Sequence, residues 1–284
     1  MDEDIEARVS NFMERIKPST PLKLLVEIVI RTPRQWRNLI LGCPIVIMSD
    51  PETLSLLAKG HSFVRWGDGE TALVRGKSIF YQEYDKELKE KLEFVVKDPP
   101  RNTIIGVPWV VYSSWRDPKW NKRIFKIMFS TRVYWSKNLK KQIENVNFSR
   151  TEFWWDLAPQ LKSLMNKLVS SNSKLVLIGD EKFLALCPDG TKHLSIPNLD
   201  AFFHYETLAK NVQEILDSSA GRVTLLVAAG PTTKALVKDF ANQCQVMDVG
   251  HGFNFALGGR GAWAWQRDIK QEEQERMNQP RDLP

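Results

Sequence analysis

Apolar positions recur along this chain in two rhythms: helical spacing of three to four, and the short unbroken runs that buried strands need. Ile5, Val9, Phe12, Met13 and Ile16 fall at helical spacing and Pro18 ends the stretch, which predicts an amphipathic helix over 3–16. Residues 21–30 (PLKLLVEIVI) are denser in apolar groups and run into Arg31, Arg34 and Arg37. Two readings of that join stay open. It is a segment lying on an anionic membrane surface, or a helix packed on the core with its arginines in water, the commoner arrangement. Further on, Asp50 is a good N-cap, Pro51 suits the first helical position and Gly60 the stop, so 51–59 is expected to be a helix. Leu88, Leu92, Val95 and Val96 line one face of a second helix over 85–97, closed by Pro99 and Pro100.

Strands are expected at 62–66, 103–107, 174–179, 193–197, 223–229 and 245–249, with helices over 200–216 and from Gly230 onward. The run Val223–Ala229 is continuously apolar between turn signals, as in a strand covered on both faces. Strands alternating with helices predict a Rossmann-like α/β fold, a mainly parallel sheet with helices on both faces. The organisation read from this is an N-terminal helical segment (1–45), one α/β domain (46–265) and a charged tail (266–284). Between Trp109 and Trp155 the rhythm weakens, and Trp109, Trp115, Trp120, Trp135, Trp154 and Trp155 stand among many Lys and Arg. Such a mixture can stack single-stranded nucleic acid, shape a sugar site, or fill the core, which is the usual fate of a Trp.

Two stretches carry candidate chemistry. The strand Ser62–Trp66 breaks into Gly67-Asp68-Gly69-Glu70. Read as an extended loop, alternate residues point the same way, so both carboxylates would converge on one point. They would then repel unless a cation lay between them, and hard oxygen ligands suit Mg²⁺ or Mn²⁺. The alternative is a polar turn. Gly230-Pro231-Thr232-Thr233 follows a buried strand, which makes it an anion site at a helix N-terminus or a plain capped turn. Asp248 and His251 end the next strand, where a lone His is more often structural. No GxGxxG, GxxxxGK[ST] or GxSxG pattern occurs, so dinucleotide, P-loop and hydrolase-elbow readings lose their support.

Composition narrows the partners. The 284 residues carry a net charge of +6, which permits an anionic partner without demanding one. No nucleic-acid recognition motif accompanies the charge, so no nucleic-acid partner is expected. Cys43, Cys187 and Cys244 are far apart and odd in number, which disfavours a disulfide framework and a zinc site. The acidic start Met1-Asp2-Glu3-Asp4 is unlike a signal peptide, and no run reaches the ~20 apolar residues of a membrane span. A cytoplasmic location is expected, with contact at the inner face of the membrane through residues 1–40 as the open addition.

Three blocks resemble the GT-D-fold glycosyltransferases, a family of metal-dependent nucleotide-sugar transferases. They are Ser49–Gly60 with Ser62–Glu70, then Lys77–Gln82, then Val227–Thr232 with Met247–His251. The resemblance implies a UDP-sugar donor, Mn²⁺ or Mg²⁺, and a glycan or lipid-linked acceptor in cell-surface polysaccharide or glycoprotein biosynthesis. By the same resemblance Asp68 and Glu70 hold the metal–diphosphate, Arg65 supports their loop, and His251 lines the site as a third catalytic residue. Gly67, Gly69, Gly230, Thr232 and Asp248 complete the expected donor pocket. Two departures stand out. The family's Gly-Asn-Asp loop after the middle strand is replaced by Gly179-Asp180-Glu181-Lys182-Phe183. The stretch Gly252–Leu257 directly after His251 has no acid, where the family commonly carries one. The general base then falls to another carboxylate (Asp156, Asp180 or Glu181), or the chain is an inactive nucleotide-sugar-binding or scaffold relative.

Overall fold

The computed structural model describes residues 31–257 apart from 115, 118, 120, 121 and 140–145, with the side chains of 122–127, 155 and 251 also outside the description. The expected helix over 3–16, the apolar run 21–30 and the tail 266–284 lie outside the described residues.

Seven parallel strands form one sheet: β1 (Ser62–Arg65), β2 (Thr103–Val107), β3 (Asn147–Arg150), β4 (Ser173–Ile178), β5 (Lys192–Leu194), β6 (Arg222–Val227) and β7 (Gln245–Asp248). Their order is β3-β2-β1-β7-β6-β4-β5, so the first and last strands lie side by side at the centre. The helices are α1 (Pro33–Leu41), α2 (Asp50–Ala58), α3 (Asp68–Val74), α4 (Lys86–Lys97), the single turn α5 (Trp109–Tyr112), α6 (Lys122–Asn138) and α7 (Phe153–Ser170). After them come α8 (Tyr205–Asp217), α9 (Thr232–Phe240) and α10 (Gly250–Ala256).

The alternation of side chains along each strand divides the interior into two layers. Val64, Ile105, Val176, Leu225 and Val246 face one core, where helices α4, α6, α8 and α9 pack. Phe63, Ile104, Leu177, Leu226 and Met247 face the other, covered by α2, α7 and α10. This is the expected doubly covered α/β sheet, and it is parallel throughout.

Local chemistry accounts for the ends of the elements. Helix α2 starts one residue earlier than expected: Ser49, not Asp50, is the N-cap, because Ser49 and Glu52 form a reciprocal capping box (Ser49 N to Glu52 Oε2, 2.8 Å). Three of the Trp residues are fully buried core, namely Trp66, Trp135 and Trp154. Trp66 stacks on Tyr134 with centroids 5.4 Å apart and meets Trp135 edge-on at 5.8 Å.

Candidate active site

The Asp68–Glu70 segment is the first turn of helix α3, not an extended loop. The correction matters, because residues two apart on a helix point roughly 200° away from each other. Asp68 accordingly faces solvent while Glu70 is buried. The turn is closed by Glu70 itself, whose Oε2 accepts from Gly67 N at 2.8 Å. Behind it, Trp66 Nε1 donates to Thr71 Oγ1 at 2.9 Å, and the Thr71 hydroxyl donates to Gly67 O at 3.1 Å.

At the carboxyl ends of the two central strands, where parallel sheets place their ligands, a four-membered ionic cluster forms. Arg65 and Asp248 are 183 positions apart in sequence, yet Arg65 Nη2 and Nε donate to Asp248 Oδ1 at 2.8 and 3.1 Å. The Arg65 backbone N–H donates to Asp248 Oδ2 at 3.3 Å. Lys234, in the first turn of α9, places Nζ 2.9 Å from Asp248 Oδ2 and 2.7 Å from Glu70 Oε1. Burial favours a neutral Asp248, but Arg65 and Lys234 outweigh it and hold its carboxyl down at about 2. Burial likewise opposes the charge on Lys234, and the Asp248 and Glu70 carboxylates overcome it, leaving its pKa above the ordinary lysine value. Two cations match two carboxylates, and Asp68 is the acid left over. Although it is exposed, the protein crowded around its carboxyl and the neighbouring Glu70 raise its pKa.

Tyr81 covers this cluster. Its hydroxyl lies 3.3 Å from where a β-carbon on Gly69 would stand, and its ring 3.0 Å from the corresponding point on Gly230. Glycine at 69 therefore gives the tyrosine room, and Gly230 needs its glycine twice over, since its φ is +54°. Desolvation, then the Glu70 and Asp68 carboxylates, push the Tyr81 phenol well above its ordinary value.

Sequence reasoning missed both Tyr81 and Lys234. The signal for Lys234 was a charged residue in a helix turn that is otherwise wholly buried, directly after Gly230-Pro231-Thr232-Thr233. The first turn of α9 is less open than an anion site requires. Thr233 N and Lys234 N already donate to Gly230 O and Pro231 O at 3.2 and 3.0 Å. Thr232 and Thr233 are fully buried, each with a hydroxyl that has no partner. His251 falls in the first turn of α10, and its side chain lies outside the described residues.

The connection from β3 to α7 is bound to the ends of both central strands. Thr151 Oγ1 donates to Trp66 O at 2.9 Å, and Trp154 Nε1 donates to Asp248 O at 2.8 Å. Glu152 stands between these two anchors, with its carboxyl raised chiefly by burial. Of the carboxylates expected as bases, Asp156 pairs with Arg150 and Asp180 pairs with Lys182 at 2.8 Å, while Glu181 is exposed. Asp180 also caps the 3₁₀ turn that contains Glu181.

Among the described residues no group of three or more His, Cys, Asp or Glu could hold a metal on its own. That fits a cation held by one or two carboxylates and completed by substrate phosphates and water, the usual arrangement for Mg²⁺. Of the two acids in this turn, Asp68 is the exposed one. Glu70 has both oxygens in use. A cavity of about 190 Å³ at the opposite end of the sheet, lined by Gly60, Asn102, Ser173, Arg222 and Gln245 among others, contains no carboxylate and offers none of this chemistry.

The profile of the family described as "Glycosyltransferase GT-D fold" matches residues 63–254. Among curated proteins, the "Probable glycosyl transferase Gly" of Streptococcus gordonii is 27% identical over 233 residues, 73% of this chain and 32% of that protein. "Glycosyltransferase GlyD" of Streptococcus pneumoniae is 28% identical over 219 residues, 70% of this chain and 26% of that protein. The chain thus spans a third or less of either relative. In fold it is similar to a solved glycosyltransferase of the domain of unknown function 1792 from Streptococcus sanguinis, with a TM-score of 0.56 and 22% identity over 76% of this chain and 86% of that one. A second structure, described as a highly conserved domain of unknown function 1792 with a distinct glycosyltransferase fold, also gives 0.56, at 18% identity over 80% of this chain and 85% of that one.

Proposed function

The chain belongs to the GT-D-fold glycosyltransferase family, and from that premise we propose that it transfers a sugar from a nucleotide-sugar, a UDP-sugar in the first instance, to a hydroxyl of a glycan or lipid-linked acceptor in cell-surface polysaccharide or glycoprotein synthesis. The observation that carries this reading is the cluster at the carboxyl ends of β1 and β7, in which every buried charge is matched and Asp68 alone is open to solvent.

In this reading Asp68 holds Mn²⁺ or Mg²⁺ against the diphosphate. The bound cation would offset the charge gathering on the departing nucleoside diphosphate. Glu70 does a different job, closing the Gly67 turn and keeping Lys234 in place, so that Asp68 is presented from a rigid helix start. Glu152 takes the proton of the acceptor hydroxyl, whose oxygen bonds to the anomeric carbon as the bond to the diphosphate oxygen breaks. A carboxyl raised by burial suits that role, and it supplies an acid where Gly252–Leu257, directly after His251, has none.

The test is a panel of UDP-, GDP-, TDP- and CMP-sugars with and without Mn²⁺, read by calorimetric binding and by nucleotide release. Metal-dependent binding and turnover of one donor, lost in Asp68→Asn, is the expected result. Failure of every donor to bind would sink the proposal. Binding without release in the presence of candidate acceptors would instead favour the second reading, an inactive relative. The absence of an acid in Gly252–Leu257 speaks for that alternative.

A further inference from the structure

Helix α1 presents its apolar side to solvent. Trp36, Ile40 and Leu41 are 37, 49 and 55% exposed, and Arg34 and Arg37 are exposed between them. At roughly 100° per residue, positions 33, 34, 36, 37, 40 and 41 share one continuous arc. The side turned toward the protein carries amides instead: Asn38 is buried, and Gln35 Nε2 donates to Lys137 O at 3.3 Å. Leu39 is the one buried apolar residue of this helix. A surface helix of a globular domain has the opposite arrangement.

The orientation is firmly held. Thr32 and Gln35 form a capping box at its start. Arg31 donates to Ser136 Oγ at 2.7 Å and Val133 O at 2.8 Å, while the buried Arg132 donates to Leu39 O at 2.6 Å and Ile40 O at 3.1 Å. After α1, Val46 is a further exposed apolar side chain, at 85%.

We propose that this outward face of α1 seats on an anionic lipid surface. The charge pattern selects that occupant. Residues 31–49 contain three arginines and no acidic residue, and Arg34 and Arg37 alternate with the apolar side chains rather than lying on a separate face. Guanidinium groups in that position reach phosphate headgroups while Ile40 and Leu41 enter the acyl boundary and Trp36 lies at the interface. Among the described residues no helix is long and apolar enough to cross a membrane, and the contact proposed is along the outward face of α1. The inference does not depend on the transferase reading.

The experiment is co-sedimentation of the full chain with vesicles of mixed phosphatidylglycerol and phosphatidylcholine, against phosphatidylcholine alone. The wild type is expected to pellet with the anionic vesicles only. Arg34→Gln/Arg37→Gln is expected to weaken binding about 30-fold, roughly fivefold per arginine near such a surface. Ile40→Glu/Leu41→Glu is expected to abolish binding with an unchanged melting temperature. Equal binding to neutral vesicles, or none to anionic ones, overturns the proposal. So does self-association of the wild type that Ile40→Glu/Leu41→Glu abolishes, which assigns the face to a second copy. A fall of several degrees in Tm for Ile40→Glu/Leu41→Glu also overturns it, because the face would then be covered within the chain.

Discussion

Lys234 Nζ stands 2.7 Å from Glu70 Oε1 and 2.9 Å from Asp248 Oδ2, so one buried ammonium bridges a carboxylate from the start of helix α3 and one from the end of strand β7. Replacing it with Met keeps the length of the side chain, strips Glu70 of its cation and leaves Asp248 with Arg65 alone. Lys234→Met is expected to cost about 3–5 kcal/mol, the range for breaking a buried pair from one side. Urea unfolding measures this, and a loss below 1 kcal/mol would mean that the cluster relaxes by admitting water.

Asp68 and Glu70 should separate cleanly. Asp68→Asn is expected to abolish metal-dependent nucleotide binding while changing stability by less than about 0.5 kcal/mol, because the side chain is exposed. Glu70→Gln is expected to do the reverse, lowering stability by up to about 3 kcal/mol, the low end for breaking a buried pair, since Lys234 keeps Asp248, while retaining most of the metal affinity. Calorimetric Mn²⁺–nucleotide titrations beside thermal melts distinguish the two. Equal loss of metal binding in both variants, with equal Tm, would return Glu70 to the role of a direct ligand.

The acid limb of stability follows from Asp248. Its folded pKa, about 2, lies below the unfolded value near 3.9. The resulting stabilisation is fully present above the unfolded pKa and is lost as pH falls through the folded one, amounting to roughly 2–3 kcal/mol. Lys234 has the opposite sign: its pKa is raised, so its contribution holds below the unfolded lysine value and fades as pH climbs through the folded one. Stability curves of wild type and Asp248→Asn, measured from neutrality to pH 2, should converge at the acid end. Parallel curves would show that the carboxylate is not stabilised in the folded state.

Glu152→Gln is expected to reduce turnover by about 10²–10⁴-fold, the usual range for losing a general base, with donor binding and Tm unchanged. Donor hydrolysis and transfer assays read this directly. Unchanged transfer would remove Glu152 from the mechanism.

The sheet was readable because β1, β2, β4, β6 and β7 are short apolar runs with turn signals on both sides, and two-sided burial imposes that pattern. The stretch 109–155 was not. Its aromatic and basic residues alternate too closely to show a face, so α6 and β3 could not be read from spacing, nor could α7, which contains Pro159. At the site, Asp68 and Glu70 were visible as a motif but their relation was misread. A Gly-Asp-Gly-Glu string looks like a turn until Glu70 is seen capping Gly67, a hydrogen bond that propensity alone does not predict. Lys234 was invisible for a different reason. Its partners come from residues 70 and 248, and only the central pairing of the first and last strands brings those together.

That pairing also sets when the site comes into being. Arg65 leaves the ribosome long before Asp248, and their hydrogen bonds span 183 residues. Without β7 beside β1, Lys234 lacks its second acid and Trp154 has no Asp248 carbonyl to hold. Closing a loop of that length carries an entropic cost. The four-membered cluster is therefore complete only in a chain whose central strand pairing is made.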